Sequence, residues 1–131
     1  MVAPIVLTAN NIGAFVFSHT GQNESVLVNS DTDVDITLID TRDIRKLLIQ
    51  IINSGATNSL NYSIYGYAKE VSTAPAFVSS DWNELKPSTT ISPLSEKTET
   101  LTDSYSFVLI RMKRATSGLD TTAKIYVRAK K

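Results

Sequence analysis

At 131 residues the chain has the length of one ordinary domain, and its 42% apolar and 20% charged residues allow a buried core and argue against disorder. Thirteen basic residues balance thirteen acidic ones, so no overall field draws in nucleic acid or an anionic membrane, and little charge repulsion opposes self-association. The absence of cysteine excludes disulfides and thiolate metal sites.

Met1 to Leu7 is apolar but has no basic flank, and polar residues interrupt it from Thr8 to Asn11. It therefore predicts no signal peptide, and residues 1–10 read as an extended arm. No apolar run approaches the roughly eighteen residues of a membrane span. Period-two alternation follows, with short strands expected at 14–17 and 25–28. The polar run Asn29-Ser30-Asp31-Thr32-Asp33 then leads into the alternating Val34, Ile36 and Leu38. A strand at 44–52 ends at the turn Asn53-Ser54-Gly55, and Leu60, Tyr62 and Ile64 alternate in the next. Residues 71–93 are rich in Ser, Thr and Pro. They read as a long connection between sheets, anchored by Phe77, Val78 and Trp82, with one short helical turn at 81–85. Strands at 97–101 and 104–112, the turn Ser117-Gly118, and the alternating Ala123, Ile125 and Val127 complete the chain. Seven or eight such strands predict an all-β fold, an antiparallel two-sheet β-sandwich of jelly-roll-like form, in a single domain over residues 1–131.

The residues that carry chemistry are sparse. His19 is the one histidine, and a loop histidine without a partner is an ordinary surface residue far more often than a catalyst. Asp31, Asp33 and Asp35, with Asn29 and Asp40, resemble a calcium loop in spacing. Val34, however, occupies the position where that loop needs glycine, so a polar turn entering a strand is the better account. Arg111, Lys113 and Arg114 lie in one strand with Tyr105, and Lys124 and Arg128 lie near Lys130 and Lys131 in another with Tyr126. Paired, these strands would make a basic stripe; unpaired, they supply solubilising charges, which the zero net charge favours. Tyr65 and Tyr67 share a face opposite Tyr62 and Ile64, and with Trp82 they are candidates for a glycan-stacking platform. No catalytic set, metal site or cofactor motif is found, so the expectation is a non-enzymatic protein that needs no cofactor.

Two strands break the inside–outside rule. Leu48 and Ile52 oppose Leu47, Ile49 and Ile51, while Val108, Ile110 and Met112 oppose Phe107 and Leu109. A sandwich strand with one wet face should not be apolar on both. Either the 71–93 connection covers the second face, or a neighbouring subunit does. The latter makes Leu48, Ile52, Val108, Ile110 and Met112 candidate interface residues.

The order of segments from residue 47 to 129 carries a resemblance. Leu47-Leu48-Ile49-Gln50-Ile51-Ile52-Asn53-Ser54-Gly55 precedes Leu60-Asn61-Tyr62-Ser63-Ile64-Tyr65-Gly66-Tyr67. The Trp82-x-x-Leu85 element then leads into Leu101-Thr102-Asp103-Ser104-Tyr105, and Ala115-Thr116-Ser117-Gly118 precedes a basic-ended strand at 124–131. This layout resembles the small β-sandwich head-decoration and auxiliary capsid proteins of tailed viruses. It covers about two-thirds of the chain and has no diagnostic motif. The resemblance implies a homo-oligomeric virion structural protein that contacts a capsid or other virion protein and assembles in the host cytoplasm without a secretion signal. Binding of a membrane or nucleic acid is not implied. The second expectation is a carbohydrate-binding or adhesive module using Tyr65, Tyr67 and Trp82.

Overall fold

The computed structural model describes residues 5–7, 16–18, 26–42, 44–103 and 105–130. They contain ten strands: β1 (Ile5–Leu7), β2 (Val16–Ser18), β3 (Val26–Val28), β4 (Val34–Asp40), β5 (Lys46–Asn53), β6 (Leu60–Tyr67), β7 (Asn83–Ile91), β8 (Glu96–Leu101), β9 (Phe107–Arg114) and β10 (Thr121–Lys130). Among the described residues no helix is long and apolar enough to cross a membrane. His19 and most of the 1–10 arm lie outside the described residues.

The first sheet has the order β1-β4-β9-β6-β7; the second runs β2-β10-β5-β8, with β3 also paired to β10. β3 faces Thr121 to Ala123 and β2 faces Tyr126 to Arg128, so the two short strands follow one another along the same edge of β10. From β3 to β6 the chain switches sheets at every connection, stays in one sheet from β6 to β7, and switches again at each step to β10. The result is β3-β10-β5-β8 packed on β4-β9-β6-β7, the connectivity of a jelly roll, as the alternation predicts. β1 adds to the β4 edge in parallel, with Val6 opposite Leu38.

Alternation decides which side chains fill the gap between sheets. Leu47, Ile49 and Ile51 of β5 and Ile125 and Val127 of β10 meet Leu60, Tyr62 and Ile64 of β6 and Val108, Ile110 and Met112 of β9 in one buried cluster. Full burial of one aliphatic side chain is worth about 1.5–3 kcal/mol, so this layer dominates the driving force for folding.

The 71–93 expectation needs two corrections. Its second part is strand β7, which begins at Asn83 where a helical turn was expected, and it pairs with β6 along an outer edge. Pro87 is tolerated there because an edge strand has one side free of ladder hydrogen bonds. The remaining connection, residues 68–82, therefore joins two neighbouring strands of the same sheet. It doubles back as a strap across that sheet's outer face, placing Val71, Ala74, Phe77 and Trp82 on Leu38, Tyr65, Tyr67, Phe107 and Leu109.

Candidate interaction surface

The strap resolves the doubly apolar character of β9 within the chain itself. Phe107 and Leu109 lie under it in a second cluster, each 3% exposed. The opposite face of β9 is the core-facing one, where Val108, Ile110 and Met112 are 2%, 0% and 1% exposed. These three are removed from the candidate interface: they are packed between the two sheets and cannot reach a neighbour. From Phe107 to Ile110 both faces of β9 are apolar; the sequence signal that separates them is Arg111 and Lys113, which share the face of Phe107 and Leu109.

The stacking platform is corrected for the same reason. Tyr67 and Trp82 are 8% and 4% exposed, with their rings 5.2 Å apart, and Phe77 packs edge-on against Tyr65 at 4.8 Å. The Trp82 indole N–H donates to the Ala76 carbonyl at 3.3 Å. The aromatic faces that a sugar would need are occupied by one another. Tyr65 is half-buried, and its hydroxyl donates to Glu84 at 3.2 Å; burial and that carboxylate push its pKa above the ordinary phenol value.

Two arginines fasten the strap. Arg111 holds Asp35 at 2.8 Å and the Asp33 carbonyl at 3.2 Å, and its guanidinium lies 4.0 Å from the centre of the Phe77 ring. Arg42 pairs with Asp40 and donates to the Val71 and Ser72 carbonyls while lying over Phe107. At the opposite end, Arg114 bridges Asp31 and Asp120, both at 2.6 Å, which holds the Asp31 carboxyl below its ordinary range. Of the carboxylates that resemble a calcium loop, Asp31, Asp35 and Asp40 are thus engaged by Arg114 and Arg111 on β9 and Arg42 after β4, while Asp33 contributes its backbone carbonyl. The two basic strands do not pair, since β9 and β10 belong to different sheets, so the basic stripe that pairing would have made is not formed.

A depression of about 680 Å³ lies at the strap end, lined by Thr41, Arg42, Glu70, Val71, Tyr105 and Ser106 among others. Its polar groups bond to each other: Thr41 Oγ1 donates to the Tyr105 carbonyl and Ser106 Oγ to the Lys69 carbonyl. They tie three loops together, and none is arranged as a nucleophile beside a base.

The outer face of the second sheet is built differently. β5 presents Lys46, Leu48, Gln50 and Ile52, and β10 presents Lys124, Tyr126 and Arg128 directly alongside. β8 adds Glu96, Thr98 and Thr100. Leu48, Ile52 and Tyr126 are half-buried, and Leu27 of the β3 edge is 56% exposed. A shallow groove of about 250 Å³ runs between Leu48, Gln50, Thr98, Tyr126 and Arg128. Among the described residues, neither packed cluster includes Leu48, Ile52 or Tyr126. No packed segment among the described residues thus covers the two expected interface residues on β5, in contrast to the strap over the first sheet.

Sequence reasoning missed Asn53, taken only as a turn residue. It is fully buried at the end of β5, where its amide donates to the Asn58 and Ile91 carbonyls and its carbonyl accepts from Gly55 N–H and Thr121 Oγ1. A lone Asn ahead of Ser-Gly carries no signal of this, because both strands that meet it are distant in sequence. Also unforeseen is Tyr62, whose hydroxyl donates to Glu99 across the open side of the sandwich, with Lys86 3.4 Å from the same carboxylate.

No family model and no curated protein matches the chain. Among solved structures, the crystal structure of PirA is similar with a TM-score of 0.51 and 12% identity, over 87% of this chain and 94% of that one. A chain from Bacillus endospore appendages, described as a novel family of disulfide-linked pili, aligns with a TM-score of 0.41 and 10% identity, over 91% of each chain. The first likeness supports the fold alone. The resemblance to tailed-virus decoration proteins receives no support from these matches.

Proposed function

We propose that the chain is a non-enzymatic structural subunit, a decoration or auxiliary protein of a virion capsid, that assembles with copies of itself through the outer face of the second sheet. The observation that carries assembly is the asymmetry between the two outer faces. The strap seals one, while the other offers Leu48, Tyr126 and Ile52 as diagonal neighbours interleaved with Gln50, Lys124 and Arg128, with Leu27 exposed at the β3 edge. Apolar side chains interspersed with polar and charged ones on an open sheet face suit a protein-binding patch. The virion assignment rests on the layout of residues 47–129, and a site of action within particles assembled in the host cytoplasm follows from it. A cysteine-free jelly roll suits that role, since its stability comes from packing and needs no oxidising compartment. The glycan-binding alternative has lost its platform to the strap.

Light scattering across a concentration series tests the proposal. The wild type is expected to form a defined oligomer, and Ile52→Asp, at a half-buried outer position, to remain a folded monomer. A wild type that stays monomeric at every concentration overturns the proposal.

A further inference from the structure

The charges on the two outer faces are opposite in sign, and this selects what the open face can dock against. Among the described residues, the outer face of the second sheet carries Lys46, Lys124 and Arg128 against one acid, Glu96. Glu96 is itself hydrogen-bonded by Gln50 at 3.0 Å. The far side of the sandwich has the reverse balance. There Arg42 and Arg111 are neutralised by Asp40 and Asp35, and Lys69 and Lys113 are outnumbered by Asp33, Glu70, Asp81 and Glu84. Glu70, Asp81 and Glu84 are exposed, and Val78, whose carbonyl accepts from the Asp81 N–H, is 48% exposed on the strap.

An isologous dimer would press the basic face onto itself, bringing Lys124 and Arg128 towards their own copies around a two-fold axis. Juxtaposed like charges in an interface cost several kcal/mol. The chain's own complementary surface is the strap on the opposite side, which a molecule cannot present to its own second sheet but can present to the next copy. We infer that the outer face of the second sheet docks on the acidic strap of a second copy, head to tail, with Leu48, Ile52 and Tyr126 meeting the strap around Val78. A heterologous contact of this kind closes into a ring or continues as a stack. The inference rests on the assembly reading above and names its partner surface.

Charge reversal separates the two claims. Glu70→Lys/Asp81→Lys on the strap and Lys124→Glu/Arg128→Glu on the second sheet, all at solvent-facing side chains, are each expected to weaken assembly by at least about tenfold. The chain carrying all four is expected to recover it, because both faces are then reversed together. Mixing Leu48→Asp, whose strap is intact, with Glu70→Lys/Asp81→Lys, whose second sheet is intact, is expected to give a one-to-one pair that grows no further. If Glu70→Lys/Asp81→Lys assembles like the wild type while Leu48→Asp does not, head-to-tail docking is overturned and the open-face reading stands. If the wild type is monomeric, or Leu48→Asp assembles normally, both fall. If the wild type remains monomeric and instead binds mixed-sequence single-stranded DNA, and Lys124→Glu/Arg128→Glu abolishes that binding, the basic face has a nucleic-acid partner and the inference is overturned.

Discussion

Three buried polar side chains behave differently because their partners differ. Asn53 has all of its hydrogen-bonding groups met by Asn58, Ile91, Gly55 and Thr121. Asn53→Ala strands several buried partners and is expected to cost about 2–4 kcal/mol, read from urea denaturation. Ser63, opposite Arg111 on β6, is 2% exposed, and among the described residues its hydroxyl has no hydrogen-bond partner. Ser63→Ala is therefore expected to leave stability unchanged or raise it by up to about 1 kcal/mol in the same measurement. Tyr62 donates to Glu99, and burial together with that carboxylate raises its pKa far above the ordinary phenol value of 10.0. The proton is held more tightly in the folded state than in the unfolded one, so its contribution is complete below pH 10 and declines above it. Asp40 has the opposite sign: Arg42 lowers its pKa below 3.8, so that contribution is present above pH 4 or so and is lost on acidification. Denaturation midpoints across pH should thus fall on the acid side less steeply in Asp40→Asn, and on the alkaline side less steeply in Tyr62→Phe.

Strands were legible where one face was plainly polar. β6 and β10 were legible because Asn61 and Ser63, or Lys124 and Arg128, alternate with apolar core residues. β4 was legible as a strand, but a bulge between Asp35 and Thr37 splits the expected Val34, Ile36 and Leu38 face, turning Thr37 and Ile39 into the core and Leu38 to the strap. β7 was hidden by Pro87 and by a composition of Ser and Thr, since an edge strand with a bulge needs little apolar surface to form. β9 was recognised as a strand with its faces undecided: Phe107 to Ile110 are apolar on both sides, and Arg111 and Lys113, which mark the outer face, come only in its second half. What covers it, residues 68–82, reads as loop composition and gains meaning only from Arg42, Arg111 and the ring contacts that fasten it. Arg111→Ala removes the Asp35 pair and the contact with Phe77. It is expected to cost about 1–3 kcal/mol and to speed amide exchange at residues 71–82 more than in β5 and β10. Equal acceleration throughout would mean the strap is no separate unit. Gly66 lies where this layer meets the end of the core, and a Cβ there would come within 2.7 Å of the Tyr105 ring. Gly66→Ala should lower stability by about 1–3 kcal/mol through overpacking.

At the scale of the whole molecule, the sandwich is a stack of layers with unequal outsides: a strap on a side where the described acids outnumber the bases, the first sheet, an apolar core, and a second sheet whose outer face is basic and partly apolar. The candidate site was half legible. Leu48 and Ile52 stood out because they oppose core positions on β5, but nothing in the sequence told them apart from Val108, Ile110 and Met112, which do the same on β9. The difference arises from where the chain returns after β6, a property of topology and not of local pattern. Size and symmetry of the assembly follow from which surface the open face meets, so charge placement matters more here than total charge, which is zero. The most direct measurement is sedimentation velocity on three proteins side by side: wild type, Leu48→Asp on the open face, and Ile110→Ala in the core. The wild type should sediment as an oligomer, Leu48→Asp as a monomer with an unchanged melting temperature, and Ile110→Ala as an oligomer that melts earlier by the equivalent of about 2–5 kcal/mol. An oligomeric Leu48→Asp would contradict the account.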